Sequence, residues 1–123
     1  MENIRKGNNL ITNKEVLTLS SMEVAQMLGL THEELLQDIE GRETGIIAVL
    51  KKNNIEFSKY FIPATYKLGE IKNRCYLISS EGCRILGGKL QGTENALFNV
   101  AVDKKLKEKF KTRIAENLKR DGI

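Results

Sequence analysis

Two capping boxes stand eleven residues apart in this chain, Ser20-Ser21-Met22-Glu23 and Thr31-His32-Glu33-Glu34, with Gly29 between them. In each box a hydroxyl can hold the N3 amide while the N3 glutamate holds the N-cap amide, so each marks a helix start. Gly29 can take the left-handed conformation that ends the first helix cheaply. The segment therefore has to make two short helices with a sharp turn. Val24, Ala25, Met27 and Leu28 form the apolar face of the first, and Leu35, Leu36 and Ile39 that of the second, which Gly41 closes. This is the pattern of a helix-turn-helix. A third helix is predicted from about Thr44 to Lys52, burying Ile46, Ile47, Val49 and Leu50.

Upstream, Glu15 to Leu19 alternates like a short strand. Downstream, the period changes from helical to two. Tyr60 to Lys67 and Arg74 to Ile78 are aromatic and β-branched runs, and Leu68 to Asn73 between them is of hairpin length. Pro63 confines the first run to a sheet edge. A short helix is predicted at Ser80 to Leu86, and a longer one from Thr93 to about Lys119. The expected fold is α+β: a winged helix-turn-helix-like domain of three short helices and a β-hairpin wing over residues 1–92. A charged C-terminal helix over residues 93–123 belongs to it or projects from it.

Composition narrows the chemistry. A single histidine and two cysteines, Cys75 and Cys83, leave too little for a metal cage or a hydrolase triad. The cysteines read as small buried hydrophobes rather than a disulfide framework. Tryptophan is absent and only seven aromatics are present, which argues against a stacking platform for single strands. The expectation is a binding protein and not an enzyme, without cofactor, metal or small-molecule substrate. No apolar run approaches the ~20 residues that span a bilayer, and residues 1–10 lack the apolar core of a secretory signal. A cytoplasmic location in a bacterial host, away from membranes, is expected.

Charge is unevenly placed. Residues 15–43 hold seven acids against Arg42 alone, whereas residues 44–123 hold sixteen basic side chains against eight acidic ones. A phosphate footprint should then lie outside the acidic segment.

Several stretches together resemble the Rha family of phage regulatory proteins. One is Ser20-Ser21-x-Glu23-Val24-Ala25-x-Met27-Leu28-Gly29-x-x-His32-x-x-Leu35-x-x-Asp38-Ile39. The others are Tyr60-Phe61-x-x-x-Thr65-Tyr66, Cys75-Tyr76-Leu77-Ile78-x-x-x-Gly82, Leu86 and Gly92. They span about residues 18–98. The resemblance implies transcriptional or antirepressor control exerted by binding. It departs from the family where Glu33, Glu34 and Gln37 stand beside His32, at positions that are typically basic or amide.

On this reading the candidate contacts to double-stranded DNA are His32 and Gln37 on the second helix, Lys67, Lys72 and Arg74 on the wing, and Lys104, Lys107 and Lys111 on the tail. The alternative is a protein-directed inhibitor of a repressor or a host defence nuclease. It would use the acidic face Glu33, Glu34, Asp38, Glu40 and Glu43. Asp38 and Arg42 are spaced for an i,i+4 ion pair. Val102, Leu106, Phe110 and Ile114 recur at every fourth position, and the stripe is expected to join two copies into a homodimer.

Overall fold

The structure is a computed structural model that describes residues 17–121, with side chains through residue 116. The early part of the strand expected from Glu15, and the Leu118, Lys119 and Arg120 side chains, fall outside the described residues. Element order is β1 (Leu19–Ser20), α1 (Ser21–Leu28), α2 (His32–Glu40), α3 (Ile46–Lys52), a 3-10 turn (Phe57–Lys59), β2 (Phe61–Leu68), β3 (Ile71–Ile78), α4 (Ser80–Gly87) and α5 (Gly92–Asp121). The described residues thus form an α+β fold of five α-helices and a three-stranded antiparallel sheet, compatible with a winged helix.

Both capping boxes form. Ser20 and Thr31 accept the amides of Glu23 and Glu34, and each glutamate returns a bond to its N-cap amide. Gly29 takes φ +75°, and the Leu30 amide bonds back to the Ala25 carbonyl at 2.9 Å, which ends α1. α2 then starts at His32 after the three-residue connection Gly29-Leu30-Thr31.

Strand order is β1-β3-β2. Leu19 and Phe61 flank Ile78 from opposite sides, and all three are fully buried. That row is the floor of the core. Val24 and Ala25 from α1, Leu35 and Ile39 from α2, Cys83 and Leu86 from α4, and Phe98, Val102 and Leu106 from α5 close over it. Pro63 lies on β2, at the edge, where its missing amide costs no ladder bond.

Three expectations change. The hairpin turn is only Gly69-Glu70, because Leu68 pairs with Ile71 and Gly69 takes φ +65°. A two-residue turn with glycine first matches the twist of the strands, so pairing continues further than the side chains advertise. α3 starts at Ile46 and has no fully buried residue; Ile46, Ile47 and Leu50 are half-buried and Val49 is 44% exposed.

The third change concerns the α5 stripe. Val102 and Leu106 are 3% and 9% exposed within this chain's own core, so they are not available as a seam between copies. Phe110 and Ile114 are 51% and 41% exposed. The reason is helical geometry: at 3.6 residues per turn, each step of four residues turns about 40° further round the helix. A stripe with period four therefore leaves the domain surface within two or three steps. Leu106→Ala is expected to cost about 2–5 kcal/mol of unfolding free energy in urea. Phe110→Ala should stay within about 0.5 kcal/mol of the parent.

Gly82 shows why the helix after the hairpin must pass so close to the chain before it. A Cβ there would meet the Tyr60 carbonyl oxygen at 2.4 Å and the Ile78 side chain at 2.8 Å. The Ser79 amide bonds to that same carbonyl at 3.2 Å, which pins the approach. Gly82→Ala is expected to lower stability by about 1–3 kcal/mol through overpacking, read from the shift in the urea midpoint.

Candidate functional site

The site is built where α2 faces the hairpin. His32, Glu33, Leu36 and Gln37 from α2, Tyr66 from β2, and Asn73 and Arg74 from β3 line a groove of about 490 Å³. Tyr66 and Asn73 are cross-strand partners, and the His32 and Tyr66 rings meet edge to face at 6.2 Å. Four of these residues were expected as contacts on one hypothesis or the other. Tyr66 and Asn73 were not, because strand aromatics and turn asparagines normally serve packing and turn chemistry.

One buried hydroxyl organises this groove. β1 ends at Ser20, paired with Leu77, and the backbone then turns into α1. The Ser21 Oγ replaces the lost backbone acceptor and takes the Tyr76 amide at 3.0 Å. It lies 2.7 Å from His32 Nε2, and Ser21 is fully buried. The oxygen already accepts an amide and still has a proton to place, for which a neutral His32 Nε2 is an acceptor in reach; the direction of this bond depends on the ring tautomer. Burial, followed by the nearby Arg74 cation, holds His32 below its ordinary 6.5, with Glu33 opposing.

The sequence carried no signal for this bond. Ser20 is the cap, and nothing marks the adjacent serine as the one that reaches a histidine on the next helix. A serine beside a histidine also resembles a nucleophile and its base, but the Ser21 hydroxyl is closed to solvent.

The acids of α2 are largely engaged with the rest of the fold. Glu40 Oε2 accepts bonds from Arg74 and from the Tyr76 hydroxyl, the latter at 2.7 Å. Burial alone would raise the Glu40 carboxyl, but these two donors hold it below 4.5. Burial and Glu40 push Tyr76 up to about 12. Asp38 faces Lys89 at 3.5 Å, in place of the expected pair with Arg42. Arg42 lies beyond the end of α2, so the helical spacing that would join them is lost. Glu34 closes the Thr31 cap, leaving Glu33 on the groove and Glu43 exposed beyond the helix. The acidic face is therefore not one continuous surface, and Arg74 is bound to Glu40 rather than held out alone as a phosphate contact.

At the hairpin tip, Lys67 stands directly across from Lys72, and both are exposed. Lys104, Lys107 and Lys111 are exposed on α5, which packs on α4 and α1, so they are not brought to the groove. Lys109 instead spans to the start of the fold, bonding the Thr18 carbonyl at 3.2 Å and Glu23 at 2.9 Å. Burial raises Glu23, but the Ser20 amide and Lys109 bring it below 4.5. Cys75 and Cys83 are buried and unpaired, and burial pushes Cys83 up to about 12. Among the described residues no group of three or more histidine, cysteine or acidic side chains is placed to hold a metal ion. No described helix is long and apolar enough to cross a membrane.

The chain is 28% identical over 93 residues to YoqD of Bacillus subtilis (strain 168), described as an "SPbeta prophage-derived putative antirepressor protein". The match covers 75% of this chain and 36% of that protein, so the chain spans about a third of its relative's length. The likeness is to a protein of the phage antirepressor kind. No family model matches the chain, and no solved structure matches it significantly.

The held carboxylates give a sign for acid sensitivity. Glu23 and Glu40 are both lowered in the folded state, so their contribution is complete above about 4.5 and is lost as pH falls through their lowered values. His32 acts in the same direction: lowered from 6.5, it favours folding above that pH and less as pH drops below it. Urea midpoints measured from pH 7 to pH 3 should fall monotonically. Glu40→Gln should flatten the part of the decline below pH 4.5.

Proposed function

We propose that this chain is a phage or mobile-element regulatory protein of the Rha-like class. On this reading it acts by binding rather than catalysis, in the cytoplasm of a bacterial host. Its groove between α2 and the hairpin meets double-stranded DNA. The observation that carries the DNA reading is the hairpin tip: Lys67 and Lys72 face each other directly across the strands. Like charges so placed destabilise a hairpin, and a polyanion lying along it relieves the repulsion. Behind them the groove offers the hydrogen-bonding side chains of His32, Gln37, Tyr66 and Asn73. The internal pairing of Glu40 and Asp38 removes much of the repulsion that the acidic sequence foreshadowed. The likeness to a prophage antirepressor supports the regulatory role.

Glu33, Glu34 and Glu43 remain exposed, and they favour a second reading in which a basic surface of a repressor or nuclease is the target. A homodimer built on α5 is left with Phe110 and Ile114 to bury.

Two double variants distinguish the readings in one binding titration against duplex DNA over a range of salt. With DNA as target, Lys67→Gln with Lys72→Gln weakens binding to every sequence. It also reduces the salt slope by up to about two units, near 0.9 for each phosphate no longer neutralised. Glu33→Gln with Glu34→Gln strengthens nonspecific binding. With a protein as target, the lysine pair leaves the chain's regulatory effect on a reporter in cells nearly unchanged, and the acidic double variant abolishes it. A wild-type chain with no affinity for duplex DNA at about 100 mM salt rejects the DNA reading.

A further inference from the structure

We propose that His32 reads an uncharged hydrogen-bond acceptor on a base edge, through an Nδ1–H donor fixed by Ser21, and does not contact a phosphate. The inference rests on the DNA reading above and concerns which chemistry the groove selects.

The argument starts from Ser21. Its oxygen accepts the Tyr76 amide, and its proton has His32 Nε2 as the acceptor in reach at 2.7 Å. With Nε2 occupied as an acceptor, the neutral ring carries its hydrogen on Nδ1. No described residue bonds to Nδ1, and the ring lines the groove. Tyr66 holds the ring from the side. The result is a donor with a fixed partner on one nitrogen, a fixed ring and no formal charge.

That state suits one class of ligand. A phosphate is best met by a cation, but protonating Nε2 would force the buried Ser21 proton off its acceptor, and among the described residues the Ser21 hydroxyl bonds only to His32 and the Tyr76 amide. The surroundings oppose the cation from a second side. Arg74 on β3 faces the ring, and Glu33 on α2 is the charge acting against it. Ser21 on α1 and Tyr66 on β2 complete the contacts. A neutral donor fits the acceptors of the major groove, the purine N7, guanine O6 or thymine O4. Gln37 lines the same groove with an amide that can both donate and accept, as base-edge contacts require. Ser21 is thus a positioning residue, and His32 the specificity-determining one.

This chain has one histidine, so its ring signals are unambiguous. Nitrogen and carbon NMR of free wild-type protein should show the Nδ1–H tautomer and a titration below 6.5. In Ser21→Ala the two tautomers should exchange and the titration should move up towards 6.5. If that variant does not fold, the wild-type tautomer decides, and an Nε2–H ring overturns the proposal.

The binding arm uses a randomised pool of duplex DNA selected at pH 7.5. Wild type should enrich a motif, and His32→Phe should lose about tenfold of the preference at one base pair while keeping the others. His32→Asn, whose amide nitrogen stands near the place of Nδ1, should recover part of it. A preference indifferent to His32→Phe, or affinity that rises equally for all sequences as pH falls, overturns the inference and leaves the DNA reading standing. A wild-type chain that enriches nothing overturns both, and the NMR result separately reports whether the donor exists.

Discussion

The Ser21 hydroxyl is the contact on which the arrangement of the other parts depends. It sits where β1 stops and α1 begins, and it satisfies a buried amide of the central strand that the departing backbone can no longer reach. The same oxygen is bound to the first residue of α2. One atom therefore joins the sheet, the first helix and the second helix. A buried polar group tolerates no free valence, because each unmet bond costs about 1–3 kcal/mol. That requirement fixes α1 and α2 against the sheet more sharply than apolar packing alone, which accepts many similar arrangements.

A second tie acts further out. Glu40, at the end of α2, receives both Arg74 and Tyr76 from β3, and so the far end of the helix is held to the hairpin as the near end is held by His32 and Ser21. The groove lies between these two attachments. Exposed ion pairs contribute little to stability, and Arg74 is well exposed. Here the pairing matters more for what it hides: it takes an acid and a base out of the set of charges offered to a ligand. The electrostatic character of the groove follows from internal pairing, not from the residue count of its segment.

The long helix follows a different logic. Its first half belongs to the core through Phe98, Val102 and Leu106, and Lys109 ties it to Glu23 and Thr18. Thereafter the apolar positions turn away from the domain at a rate set by the difference between four residues and the 3.6 of a helical turn. The lysines of this helix are on an element that packs on α1 and α4, and none of them lines the groove.

The sequence by itself determined the local structure. Capping boxes, Gly29 and the change of period at Tyr60 act within a few residues of one another, and they are sufficient to place α1, α2 and the hairpin, and to name His32 as the first residue of α2. It also determined that the charge would be lopsided. Only the tertiary structure decided which of those residues meet. Ser21 reaches Tyr76 across 55 residues, Arg74 reaches Glu40 across 34, and Lys109 reaches Glu23 across 86. No periodicity or cap encodes such pairs, since side-chain patterns report which face of an element is buried but not which element covers it. The acidic face was partly neutralised for the same reason, by partners distant in sequence, whereas the shorter hairpin turn and the divided stripe on α5 follow from local geometry, a two-residue glycine turn and the drift of a four-residue period round a helix.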